Sequence, residues 1–351
     1  MRKLTFVRRV VGCGMLAAGL LTVGVWATEP ADGEVVVATD RLQAVIPAEI
    51  AEICDVEVTP DSLAFFEKIS HQAQSGGFAG SLRLYESVKD YGYLPHFERV
   101  GELTLADGTR LNVIAEFATD VQFDPESEES TNNYRTLCDA FDEVIVPGLT
   151  PVNAEDTLTF QDETDTQAIF QDVLATLAAD LDAQKDAESL DADGFSYMYT
   201  YSYADGTDPK EKIGYTYSDI DYDGYCELLI GEIGQKEIYD MFTQVDGEIH
   251  HLISGAERNR WYLAGDEYGY RGLKNEASGG AEYTVNSFYD LIAGDEQYLQ
   301  VSFVYDGTSD PENPWKIDYG FGDMESVSEE EWLTRMGYNG ENVELDYQPL
   351  G

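Results

Sequence analysis

Two periods alternate along the first 150 residues. Thr59-Pro-Asp-Ser62 is followed by Leu63, Phe66, Ile69 and Ala73 at helical spacing. That predicts a helix capped by Thr59, with Pro60 in its first turn and Gly76-Gly77 at its end. Runs around residues 82–85, 97–106 and 110–117 read as strands, the last two joined by the hairpin pair Asp107-Gly108. Residues 120–130 form an acidic loop, and 133–144 read as a second helix. From Pro147-Gly-Leu-Thr-Pro151 to about residue 165 the chain is polar and punctuated, which places a boundary there. Residues 166–188 carry Ile169, Phe170, Val173, Leu174, Leu177 and Leu181 at helical spacing, a long amphipathic helix. From Phe195 the pattern turns to strands, at 195–203, 237–245, 248–253, 260–264, 282–289 and 298–305. Asp246-Gly247 is a hairpin, and Ser328-Glu-Glu-Glu331 is a capping box that opens a last helix. The expected fold class is α+β, with two domains, each an antiparallel sheet with packed helices. The first covers residues 28–150 and the second 166–351, with 151–165 as the linker. In the second, the long helix lies across one face of an antiparallel meander.

Between two strand-like runs, Ile213-Gly-Tyr-Thr-Tyr-Ser218 and Leu228-Leu-Ile-Gly-Glu-Ile233, stands Asp219-Ile-Asp-Tyr-Asp-Gly-Tyr-Cys-Glu227. Oxygen-bearing side chains fall at loop positions 1, 3, 5 and 9, and Gly224 at position 6 permits a sharp turn. A hard cation is held by several oxygens from carboxylates, carbonyls and water. Asp219, Asp221, Asp223 and Glu227 are the expected side-chain ligands, and the Tyr225 carbonyl the fifth. The competing reading is an acidic turn, since aspartate and Asp-Gly are common in turns. Against it, four acids in register with the glycine would repel one another without a cation. Ca²⁺ is preferred over Mg²⁺ because so many carboxylates converge. The loop is not an EF-hand, which needs a glutamate at position 12 between helices; Ile230 stands there.

The D-x-D-x-D-G-x-x-E pattern between strands resembles the calcium loop of integrin-type FG-GAP repeats. The longer stretch 215–331, with its segments IYDMFTQVDGEI, SGAERNRWYL, NEASGGAEY and NPW, is similar to uncharacterised secreted proteins of gut bacteria. That resemblance implies a secreted calcium-binding module and carries no activity with it. FG-GAP loops come in tandem and build propellers. This chain holds one copy, with Asp191-Ala-Asp-Gly194 only a fragment, so a propeller is not expected.

Charge and the N-terminus add the setting. The 351 residues hold 68 acids against 21 Lys and Arg, a formal net charge of −47, with 43% hydrophobic residues. The apolar content is that of a globular chain. The charge repels nucleic acid and anionic lipid and favours cations and basic partners. Arg2, Lys3, Arg8 and Arg9, the apolar run 10–26 and Val25-Trp-Ala27 read as a signal peptide, residues 1–27, cleaved after Ala27. No membrane insertion is expected after cleavage; an uncleaved N-terminal anchor is the minor alternative. Cleavage would leave Cys54, Cys138 and Cys226. Cys54 with Cys138 is the disulfide to consider, and Cys226 reads as a small buried hydrophobe.

Catalytic signatures are not indicated. His71, His96, His250 and His251 show no H-E-x-x-H spacing, and no G-x-S-x-G or phosphate-loop pattern occurs. Arg258 and Arg260 read as structural partners of nearby acids. Asn275-Glu-Ala-Ser-Gly-Gly280 reads as a turn and a second place to look for a site. The leading expectation is a secreted or envelope-associated bacterial protein with a Ca²⁺-stabilised binding module for a protein or glycan. The alternatives are a secreted glycosidase-like hydrolase using paired carboxylates, or a purely structural envelope protein.

Overall fold

A computed structural model describes residues 34–351, apart from 75, 121, 162–164, 205, 266–270 and 322–323. The expected signal segment lies outside the described residues. The chain divides into two compact units, and among the described residues the first ends at Gln161. The class is α+β, with several antiparallel sheets and no propeller among them.

The first unit runs through β1 (Val35–Ala38), β2 (Leu42–Ile46), α1 (Ala48–Ile53), β3 (Cys54–Val58), β4 (Ser62–Glu67), α2 (Lys68–Gln72), β5 (Phe78–Tyr85), α3 (Val88–Tyr91), β6 (Phe97–Thr104), β7 (Arg110–Phe117), α4 (Glu128–Ala140), β8 (Thr150–Pro151) and β9 (Thr157–Phe160). Its main sheet has the order β3-β4-β5-β7-β6-β9, and β1-β2-β8 form a smaller one. Leu137, Phe141 and Ile145 on α4 and the π-helical turn after it pack against Leu63, Phe65 and Val113 of the sheet. Both Cys54 and Cys138 are free thiols. Burial pushes each up to about 11.

The structure departs from the sequence pattern at several places. Thr59-Pro-Asp-Ser62 does not open a helix. It is the turn between β3 and β4, where Thr59 N donates to the Ser62 carbonyl at 2.9 Å and Ser62 N to Thr59 Oγ1. The same residue types suit a helix cap and a turn, and Leu63, Phe65 and Glu67, all fully buried at every second position, decide for strand. The helix shrinks to α2. Residues 157–160, expected in the linker, pair with β6, with Leu158 opposite Leu103, because Leu158 packs on the first unit's core.

The second unit holds a 3-10 turn (Asp165–Phe170), α5 (Gln171–Asp182), α6 (Ala187–Ala192), a 3-10 segment (Tyr197–Tyr203), α7 (Pro209–Lys212), β10 (Ile213–Ser218), β11 (Glu227–Glu232), β12 (Glu237–Ile238), β13 (Asp240–Val245), β14 (Glu248–Ser254), β15 (Asn259–Gly265), β16 (Arg271–Gly280), β17 (Tyr283–Ile292), β18 (Glu296–Asp306), β19 (Trp315–Asp318), β20 (Glu325–Ser326), α8 (Glu329–Gly337), β21 (Glu341–Asn342) and β22 (Gln348–Pro349). A five-stranded sheet has the order β14-β13-β11-β10-β22. An eight-stranded sheet runs β12-β15-β16-β17-β18-β19-β20, with β21 beside β15. The stretch β15 to β20 is the expected meander.

The two sheets stack, and helices cover both outer faces. Phe170, Leu174, Leu177 and Leu181 of the helical layer meet Leu228, Ile230 and Phe242. Leu229 and Met241 point the other way, onto Leu263, Leu273 and Leu291 of the eight-stranded sheet. That explains why β11 reads as an unbroken apolar run: both faces are covered. Trp332 of α8 packs on Phe303 and Trp315, at centroid distances of 5.8 and 5.1 Å, on the far face.

The long helix expected over 166–188 is broken. Gln184 takes a left-handed φ of 46°, and Asp186 accepts from Ser189 N to cap α6 as a new helix. The expected strand 195–203 is instead a 3-10 helix, Tyr197–Tyr203, with Ser196 Oγ accepting from Met198 N at its start. Asn275-Glu-Ala-Ser-Gly-Gly280 is not a turn but the end of β16, with Asn275 opposite Trp261 and Ala277 opposite Asn259.

Candidate metal centre

β10 and β11 pair as an antiparallel hairpin, with Ser218 opposite Glu227. The eight residues 219–226 must therefore turn the chain between adjacent strands. They do so with two left-handed residues, Tyr222 at φ 61° and Gly224 at φ 88°. Glycine takes that conformation freely, whereas a tyrosine there stores about 1 kcal/mol or more. The side chains fold inward onto the loop's own amides. Asp219 Oδ2 accepts from Gly224 N at 3.1 Å, Asp221 Oδ1 from Asp223 N at 3.3 Å, and Asp223 Oδ1 from Tyr225 N at 2.8 Å. Glu227 accepts from Ile220 N at 2.8 Å and from Thr243 Oγ1 of β13 at 3.0 Å. Asp221 Oδ2 accepts from Gly294 N at 2.8 Å.

Asp219, Asp221 and Glu227 each bring one carboxylate oxygen to within 4.8 Å of the other two. Asp219 Oδ1 is buried and accepts no hydrogen bond. Asp223 is fully buried beside them and is tied to Tyr225 N rather than counted among the three. Tyr225 and Cys226 are buried where the loop enters β11. Asp219, Asp221 and Glu227 form no ion pair with a basic side chain among the described residues. At such separations two carboxylates repel by about 4 kcal/mol for an effective dielectric near 20.

Burial first, and the neighbouring carboxylates after it, push Asp219, Asp223 and Glu227 well above the usual carboxylate range. Burial raises Asp221 as well, against the lowering effect of the Gly294 and Asp223 amides. Charge gathered in this way is relieved by protonation or by a cation. The donor set is all oxygen, as hard cations require. These three carboxylates could hold a metal ion.

Of the five expected ligands the structure brings Asp219, Asp221 and Glu227 together, and the sequence pattern does not reveal their supports. Thr243 comes from β13 and Gly294 from the turn between β17 and β18, 16 and 73 residues from the carboxylates they reach. The only local sign of the second is the turn chemistry of Ala293-Gly294-Asp295.

The remaining candidates have partners within the fold. His250 and His251 part to different partners, as adjacent strand residues do: His250 Nδ1 lies 2.7 Å from Asp295, and His251 Nε2 lies 2.9 Å from buried Asp240, its ring stacked on Phe242. Burial opposes protonation of His251, but the Asp240 carboxylate outweighs it and raises the imidazole above its ordinary value. His71 sits between Asp55 and Glu57, at 3.1 and 3.3 Å, stacked on Phe66. Arg260 pairs with Glu276 at 3.1 Å, and Asn275 donates to Asn259 Oδ1 across the strands. No described helix is long and apolar enough to cross a membrane. Compared with protein-family models, curated proteins and solved structures, the chain matches none.

Proposed function

We propose that the protein is an exported bacterial binding protein whose second unit is stabilised by one Ca²⁺ in the loop 219–227. The observation that carries this reading is the convergence of Asp219, Asp221 and Glu227, with the Oδ1 of Asp219 buried and without a hydrogen-bond donor. Oxygens on opposite sides of a Ca²⁺ ion stand about 4.6–5.2 Å apart, and around the smaller Mg²⁺ about 4.0–4.2 Å. A loop in which this many carboxylates converge suits the larger ion, which takes more oxygen ligands. Mg²⁺ also parts reluctantly with its water. Asp223 and the Tyr225 carbonyl complete the proposed ligand set. Export rests on the signal-like residues 1–27. The binding role rests on exposed tyrosines, which offer apolar area with a polar tip: Tyr201, Tyr222, Tyr298 and Tyr338 are all exposed, and Tyr222 rides on the metal loop itself.

The test is calorimetric titration of the protein with Ca²⁺ and with Mg²⁺, alongside melting curves in Ca²⁺ and in chelator. One Ca²⁺ is taken up per chain, Mg²⁺ binds more weakly, and chelator lowers the melting temperature. Asp221→Ala and Asp223→Ala lose most of the difference between the two melts. No Ca²⁺ uptake and an unchanged wild-type melt would leave only an acidic turn.

A further inference from the structure

The loop 219–227 belongs to the five-stranded sheet, yet one of its carboxylates is held from the other sheet. Gly294, whose amide reaches Asp221 Oδ2 at 2.8 Å, lies in the turn between β17 and β18. That turn is shaped for the contact. Ala293 and Gly294 are both left-handed, at φ 52° and 83°, and Ala293 is fully buried. A Cβ on Gly294 would stand 3.0 Å from Val245 Cγ2 and 3.6 Å from Asp223 Oδ2. The turn's backbone is therefore pressed against the end of β13 and against the metal loop. Its next residue, Asp295, is 2.7 Å from His250 of β14. In the opposite sense, the metal loop sends Ile220, 2% exposed, into the core between the sheets beside Leu263 and Leu291.

We propose that the cation site is a lock between the two sheets of the second unit: a bound cation fixes Asp221, and Asp221 holds the β17–β18 turn through the Gly294 amide. This rests on the Ca²⁺ reading above. Without a cation, the converging carboxylates of Asp219, Asp221 and Glu227 relieve their repulsion by separating. Asp219 is bonded to an amide of its own loop, and Glu227 to its own loop and to Thr243 of the same sheet, so their separation stays within the five-stranded sheet. Movement of Asp221 takes the acceptor from a buried turn amide, which is costly to leave unmet. Cation binding and docking of the hairpin turn then favour each other, and the coupling runs equally in both directions.

Backbone hydrogen exchange of the full chain, in roughly millimolar Ca²⁺ and in chelator, reads the first direction. Ca²⁺ slows exchange at residues 291–296 by about tenfold or more, together with the loop, while β5 and β7 of the first unit do not respond. Asp219→Asn removes that slowing at 291–296, although Asp219 makes no hydrogen bond to the turn. The second direction is read by calorimetry. Gly294→Ala strains the turn and keeps every ligand residue, its Cβ in ordinary contact with Asp223 Oδ2, and it weakens Ca²⁺ binding by about tenfold. His250→Ala, which removes the contact of β14 with Asp295, weakens it to a smaller degree. Should Ca²⁺ bind with protection confined to residues 219–227, and with unchanged affinity in both turn variants, the lock is wrong and the metal site stands. Absence of Ca²⁺ binding in the wild type removes both.

Discussion

Glu67 shows what one buried carboxylate can hold. It is fully buried at the junction of β4 and α2. Its Oε1 accepts from Ile69 N at 3.0 Å, and its Oε2 accepts from Ser70 N at 2.8 Å and Ser130 Oγ at 2.7 Å. It thus caps α2 and ties the start of α4 to it. Burial opposes the charge, but these donors outweigh it and hold the carboxyl below its ordinary value of 4.5. A depressed carboxylate contributes stability above its unfolded pKa and loses it as pH falls through the folded one. Glu67→Gln should therefore destabilise the first unit at pH 7, and its gap from wild type should narrow below about pH 4.5. Ser130→Ala, which removes one bond to the charge, should cost about 1.5–3 kcal/mol at pH 7. Urea unfolding at pH 7 and pH 4 measures both; a gap that widens in acid would contradict the assigned charge. The metal loop is the reverse case at this scale. There the carboxylates face one another as well as their amides, and burial raises them. Its pattern was legible because the spacing itself carries the chemistry. Glu67 was not, because its donors appear only once the chain turns from strand to helix.

At the scale of elements, short-range signals were the readable ones. Asp107-Gly108 and Asp246-Gly247 turn hairpins, with Gly108 and Gly247 left-handed as that chemistry demands. Ser328 caps α8 by accepting from Glu331 N. Reading failed where one local signal serves two structures, as at Thr59-Pro60, or where a distant partner decides. β22 crosses back to β10, and β9 joins β6; neither pairing leaves a trace in nearby residues. The join of α4 to the sheet is also tertiary. Phe141 sits on the π-helical turn, 1% exposed, edge-on to Phe65 and Phe117 at 5.5 and 5.8 Å. It fits because Gly80 has no side chain: a Cβ there would lie 3.0 Å from the ring. Phe141→Ala should cost about 3–5 kcal/mol, from lost burial and the cavity left behind. Denaturant unfolding of that variant measures it, and a loss below about 1 kcal/mol would mean the ring is not the anchor of α4.

At the scale of the molecule, the two units have separate cores. One is built round Leu63, Phe65, Val113 and Phe141, the other round the layers that meet on β11 and β13. A ligand stabilises only what it binds, by RT ln(1 + [L]/Kd), about 2.7 kcal/mol at a hundredfold excess over Kd. For a unit of this length that is a rise of roughly 5–10 °C in its midpoint. Two perturbations then label two transitions in a calorimetric scan. Chelator lowers the transition of the second unit and leaves the first in place. Phe141→Ala lowers that of the first unit and leaves the response to Ca²⁺ intact. Adding acid in the presence of Ca²⁺ also lowers the transition of the second unit, because protonated carboxylates are poor ligands, and it lowers that of the first unit as Glu67 protonates. If one merged transition moved under both perturbations, the units would be energetically one body, and the Ca²⁺ effect could no longer be assigned to the loop's own unit.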